Sequence, residues 1–184
     1  MADEILLLQS RIINSFLTFP GLVDWLWTTV IFGCFCAVII PFEMRLRFLK
    51  LKHPSIPLLR KTKIVLFTLF FPAVSEEIIF RVLILPRQDE SASIQDCLFW
   101  VVAGVLVFVI YHPVNAALFM RKAKSTFNSF AFLISSAILG LACSGIYLKT
   151  GSIYTTVAAH WICVVGWLLF FGGYEKLNRD IPEF

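Results

Sequence analysis

Two carboxylates and an arginine lie inside an apolar stretch that reads Phe70-Phe71-Pro72-Ala73-Val74-Ser75-Glu76-Glu77-Ile78-Ile79-Phe80-Arg81. Each charge costs on the order of 2.5–3.5 kcal/mol at the centre of a membrane helix, so such residues face a bundle interior or a wet cavity and usually have a function. Glu77 and Arg81 are spaced i, i+4 and can pair on one helix face. Glu76 points about 100° away from Glu77 and has no partner at helical spacing, so it must find one on another helix or have a shifted pKa. His112 (in Tyr111-His112-Pro113-Val114-Asn115) and His160 (in Ala158-Ala159-His160-Trp161) supply candidates from two further apolar stretches. A Glu/His/His set can activate water in two ways: by general-base chemistry with a histidine-polarised carbonyl, or by holding a metal such as zinc. The metal ligands would then be Glu76, His112 and His160; residue types alone leave the cofactor open.

The elements that must position these residues are membrane helices. The chain has 184 residues, 59% hydrophobic and only 15% charged, with a mean hydropathy of +0.83. A soluble domain has about 45–50% apolar and about 25% charged residues, so one water-soluble core cannot hide this surface, and disorder is equally excluded. The fold class read from this is all-α, a polytopic membrane bundle forming one domain over 1–184. About five spans are expected, at 22–42, 64–86, 97–119, 127–148 and 152–172, the fourth diluted by small residues. An amphipathic N-terminal helix precedes them. It begins with Asp3 and Glu4 and lacks a basic leader, which argues against a cleaved signal peptide. Pro72 and Pro113 are placed to kink their helices.

Basic residues are unevenly distributed. Arg45, Arg47, Lys50, Lys52, Arg60, Lys61 and Lys63 follow the first span, Arg121, Lys122 and Lys124 the third, and Lys176 and Arg179 the last. The other side has only Arg11, Arg87 and Lys149. The positive-inside rule then puts the C-terminus in the cytoplasm and the N-terminus outside. At about 1.5 Å per residue, Glu76, His112 and His160 lie about 16, 12 and 18 Å from the cytoplasmic ends of their spans, so three helices carry them at similar depth.

The remaining features read more plainly. The net charge of +4 comes without base-stacking patterns, so no nucleic acid is expected, and the partners are membrane lipid and whatever enters the cavity. Cys34, Cys36, Cys97, Cys143 and Cys163 are odd in number and lack C-x-x-C spacing, and read as buried small hydrophobes. His53 reads as solvent-exposed, and Trp25, Trp27 and Trp100 as interfacial anchors. The basic loop 45–63 reads as a topology signal in contact with lipid, and the tail from Tyr174 to Phe184 as disordered or interfacial.

Glu76-Glu77-x-x-x-Arg81, then Phe108-x-x-x-His112, then a histidine on a later helix, resembles the motif order of the CPBP family, the CAAX-protease and bacteriocin-processing (Abi) intramembrane endopeptidases. The resemblance covers roughly 64–172, which would be the catalytic core. It implies a helical membrane fold with a cavity open to the cytosol, in a bacterial inner or thylakoid membrane, and hydrolysis of a peptide bond in a membrane-associated peptide or protein. It further implies that Glu76 activates the attacking water, that His112 and His160 position it or stabilise the oxyanion, and that Glu77 and Arg81 form a supporting pair. Family members have been read both as metal-dependent and as glutamic peptidases. The third motif is commonly HxxxN or HxxxD, whereas Val164 stands here and offers no donor. Asn115, at i, i+3 from His112, is the nearest substitute. Val164 also supports an alternative, an inactive membrane adaptor or immunity protein of the same fold. A small ion-coupled transporter is disfavoured, because no internal repeat is present.

Overall fold

A computed structural model describes residues 2–178. Four helices are long and apolar enough to cross a membrane. These are α2 (Leu22–Arg45), α4 (Ile94–Leu118), α5 (Phe130–Thr150) and α6 (Ile153–Phe170). They match four of the five expected spans. The fifth, expected over 64–86, is helical but composite. It begins as α3 (Leu58–Thr68) and continues through a π-helical turn at Leu69–Val74. One α-helical turn at Ser75–Glu77 and a second π-helical stretch at Ile78–Val82 complete it. An amphipathic α1 (Ala2–Leu17) and a short α7 (Gly173–Leu177) flank the bundle. Residues 179–184, which include part of the expected polar tail and Arg179, lie outside the described residues.

The break in the composite span has a local cause. Proline crowds the residue before it out of the α region, and Phe71 adopts φ −127°, ψ 106° ahead of Pro72. The expected kink therefore occurs at Pro72, whereas α4 continues unbroken through Pro113. The small residues of α5 do not interrupt it either. They let neighbours approach, and α5 is the central helix: half of its apolar window is buried, against 17% in α2 and α4. Cys143 is buried on α5, but Cys34 is exposed and Cys36, Cys97 and Cys163 are half-buried. The expectation that all five are buried is corrected here, because in so small a bundle each outer helix keeps most of its face outside the protein.

Helix ends carry the expected stop signals. Ser93 and Asp96 form a capping box at the start of α4, satisfying donors the helix leaves unpaired. Gly151, at φ +64°, ends α5 in the left-handed conformation that favours glycine. The next residue begins the turn into α6, so the two helices are antiparallel neighbours.

The two ends of the bundle differ in charge. At one end the loop after α2 lies along the end of α6. Lys50 N donates to Phe171 O (3.4 Å) and Lys52 N to Phe170 O (3.0 Å), and the exposed His53 ring nitrogen Nδ1 meets Leu169 O at 3.2 Å. Arg60 sits over the Tyr174 ring and Thr126 Oγ1 donates to Lys176 O, so the three basic segments converge. The basic loop is thus a packed strap as well as a charge signal. At the other end Arg87 Nη1 donates to Gly151 O (3.1 Å). Arg11 there grips Glu90 through Nε–Oε1 (2.7 Å) and Nη2–Oε2 (2.5 Å), and donates from Nη1 to Leu83 O (2.9 Å). Trp25, Trp27 and Trp100 keep about two-fifths of their surface exposed, as anchors require.

The forked Arg11–Glu90 pair is the main polar tie between α1 and the bundle. Charge-assisted hydrogen bonds are worth about 1.5–3 kcal/mol. Arg11→Ala and Glu90→Ala are each expected to lower the thermal unfolding midpoint in detergent, and the double variant to lower it by less than the sum.

Candidate active site

Glu77 is fully buried. Arg81, one helical turn later, places Nη1 3.2 Å from Glu77 Oε1, so the expected i, i+4 pair is formed. The same oxygen accepts from His160 Nδ1 at 2.7 Å. The guanidinium continues outward: Nη2 donates to Gly140 O at 3.3 Å and the group lies 4.5 Å over the Phe108 ring. Gly140 permits this approach, because a Cβ there would stand 3.3 Å from Phe108 Cδ1 and 3.6 Å from Arg81 Nη2. Glu77 therefore binds three elements at one point: its own segment through Arg81, α6 through His160, and α5 through the guanidinium.

Glu76 is 6% exposed and lines a cavity of about 630 Å³. Its partner on another helix is His160, whose Nε2 lies 3.7 Å from Glu76 Oε2. That distance is beyond a hydrogen bond, and Oε2 has no hydrogen-bond partner among the described residues. His160 thus stands between the two glutamates, one ring nitrogen toward each.

His112 lines the same cavity. Its Nδ1 donates to Phe108 O one turn earlier at 2.8 Å. A carbonyl only accepts, so this bond places the proton on Nδ1 and leaves Nε2 as an acceptor in the neutral ring. Phe108 contacts both histidines edge-on, with centroids 4.7 Å from His112 and 6.0 Å from His160. Phe127 and Phe132 close the other sides of the His112 ring. The Phe108-x-x-x-His112 spacing is thus a device for fixing one ring: the phenylalanine supplies both the carbonyl and a wall.

The structure brings Glu76, His112, His160 and Asn115 to the wall of one cavity, with Val164 beside them. Glu77 and Arg81 do not line it and lie behind. The zinc set considered from residue types does not converge: among the described residues no three His, Cys, Asp or Glu side chains are disposed to hold one metal ion. Sequence reasoning missed Glu43, which lines the same cavity, is 2% exposed and accepts a hydrogen bond from Ser135 Oγ. An acid in the last turn of a helix opposes the helix dipole, and that misplacement was the available signal.

Comparison with protein families finds that residues 59–166 match the Rce1-like description, type II CAAX prenyl endopeptidase. The match covers more than half of the 184-residue chain and takes in nearly all of the composite span, all of α4 and most of α6. The chain belongs to the Rce1-like family. Membership brings CAAX-type intramembrane endopeptidase activity in general, with a peptide or protein substrate in the membrane. Together with the four apolar helices it makes the chain an integral membrane protein. Comparison with curated proteins and with solved structures finds no match. In this Rce1-like chain each of the three motifs contributes a residue to one cavity, although they lie on three separate elements.

Breaking a buried ion pair costs about 3–5 kcal/mol, because one charge is left alone. Arg81→Met is therefore expected to unfold the protein at markedly lower temperature, and the Glu77→Gln/Arg81→Met double variant to recover part of the loss. Glu76→Gln, which strands no charge, is expected to leave the unfolding midpoint nearly unchanged in the same detergent assay.

Proposed function

We propose that this chain hydrolyses peptide bonds with a water activated by Glu76, the catalytic core being 64–172. The observation that carries the reading is that Glu76 is buried, faces the cavity with Oε2 lacking a hydrogen-bond partner, and has His160 Nε2 beside it. Water in the cavity would give a proton to the Glu76 carboxylate as its oxygen attacks the scissile carbonyl carbon. The neutral His112 ring, with Nε2 free to accept, would hold the second hydrogen of that water and so fix its direction. The proton taken by Glu76 is then next to His160. Glu77, bonded to the far nitrogen, would stabilise the imidazolium formed on transfer, the role an acid plays behind a catalytic histidine. Collapse of the tetrahedral intermediate breaks the C–N bond, and the proton leaves with the amine.

The developing oxyanion needs a donor. Val164 has none, and Asn115, one turn after His112 in the sequence, is an amide on the same cavity wall; in this reading it takes that role. The charge asymmetry of the two bundle ends supports a cytoplasmic C-terminus and a cavity reached from that side. The donor geometry supports a glutamic rather than a metal mechanism, since no triad converges.

Val164 favours a second reading, a catalytically inactive adaptor or immunity protein in which the cavity holds a partner without turnover. Cleavage of fluorogenic membrane peptides separates the two. Glu76→Gln and His112→Ala are each expected to lower kcat at least about 10²-fold, and Asn115→Ala to lower kcat more than it changes KM. Metal analysis of the active samples is expected to find no stoichiometric zinc. Full cleavage by Glu76→Gln overturns the peptidase assignment. Full activity of Asn115→Ala removes the oxyanion role alone.

A further inference from the structure

The proposed chemistry uses one pole of the cavity. The opposite pole carries Glu43, the only acid of α2 apart from Asp24 in its first turn. It is 2% exposed and held by the Ser135 hydroxyl across the α2–α5 contact. A carboxylate in such surroundings is costly unless a cation is brought to it. A cation already lies on this wall: Lys176 of α7 places Nζ 4.2 Å over the ring of Phe48, which lines the same cavity as Glu43. The basic end of the cavity therefore holds a buried acid, a hydroxyl that fixes it, and an aromatic face already occupied by an ammonium group.

The spacing between the poles suits a peptide. Ser135 lies about 8 Å into the bundle from the start of α5, and His160 about 15 Å from the end of α6, at 1.5 Å per residue. The difference is about two or three residues of extended chain at 3.3 Å each. We infer that Glu43, fixed by Ser135, is a specificity residue that binds a Lys or Arg side chain of the peptide substrate, two or three residues from the scissile bond toward the basic end. The inference rests on the peptidase reading for the words "scissile bond", and otherwise on the cavity alone. Membrane-associated peptides carry Lys and Arg just beyond their apolar segments on the cytoplasmic side, where such a side chain would meet Glu43 while the apolar part fills the aromatic cavity. Glu43 touches no reacting atom in this arrangement. It selects which peptide settles and in what register.

Binding tests this without relying on turnover. Apolar fluorescent peptides, each with one lysine or its uncharged isostere norleucine scanned along the chain, are titrated into full-length Glu76→Gln protein in nanodiscs. The lysine form is expected to bind about tenfold or more tighter at one register, as charge-assisted hydrogen bonds allow. Glu43→Gln keeps an acceptor for Ser135 and removes the charge; in that background the lysine preference is expected to fall to within about twofold. Lys176→Met, outside the buried pair, is expected to strengthen lysine-peptide binding by removing the competing cation, and keeps the test open should Glu43→Gln fail to fold. Equal binding of lysine and norleucine peptides at every register overturns the inference, as does a preference that survives Glu43→Gln. So does loss of both peptides together with a lowered unfolding midpoint, which marks Glu43 as only a structural tie. Turnover by the protein with Glu76 intact, measured beside Glu76→Gln, tells the two failures apart: cleavage independent of Glu76 overturns the peptidase reading alone, whereas Glu76-dependent cleavage without lysine preference overturns this inference alone.

Discussion

A carboxylate buried without water has to be matched by positive charge and hydrogen bonds, and Glu77 meets that requirement with one oxygen shared between Arg81 and His160. The rest of the site depends on this arrangement. The two partners lie on the composite span and on α6, and the guanidinium goes on to the α5 carbonyl of Gly140. Three elements are thereby fixed relative to one another by directional contacts, in a setting where apolar packing alone leaves helices free to slide, because lipid is as apolar as their side chains. The position of His160, and therefore the group that Glu76 meets, follows from the same contacts.

Adjacent glutamates can do different work because the helix turns about 100° per residue. Glu77 faces the arginine and the protein interior; Glu76 faces the cavity. The non-helical Phe71 lies on one side of Ser75–Glu77, and on the other the π-helical Ile78–Val82 is wider than an α-helix, a form found frequently at functional sites. Here they bracket the single turn that carries both acids. The second histidine is fixed by different means, its own carbonyl one turn back and a set of rings. One histidine is thus set by charge and the other by packing, and both line the same cavity.

The cavity is mostly aromatic and aliphatic, and the two acids on its wall among the described residues are Glu43 and Glu76. An apolar wall excludes water from most of the volume and strengthens every electrostatic contact inside. It also suits a segment that partitions into the membrane. The strap formed by the basic loop, packed along the end of α6, closes one side of that cavity with Phe48 and Leu49, both buried. A loop rich in positive charge can thereby serve as a membrane-orienting signal on its outer side and as a wall on its inner side.

Much of this was legible in the residues alone. Apolar runs of about 20 residues have few alternatives to membrane helices, so four of five spans were recovered within a few residues. Charges in such runs are costly enough to stand out, and that singled out Glu76, Glu77, Arg81, His112 and His160. The i, i+4 pairing of Glu77 with Arg81 is local geometry and needed no tertiary information. What the one-dimensional pattern leaves undetermined is how one helix is rotated against the next. That rotation decided that His160 bonds Glu77 with one nitrogen and faces Glu76 with the other, and that the histidines and Glu76 do not close into a metal site. It also brought Glu43, two residues short of a basic loop and seemingly part of it, into the cavity. Spacing along one helix is set by its own backbone hydrogen bonds; contact between helices is set by side-chain fit across elements distant in sequence, and only the packed bundle contains that.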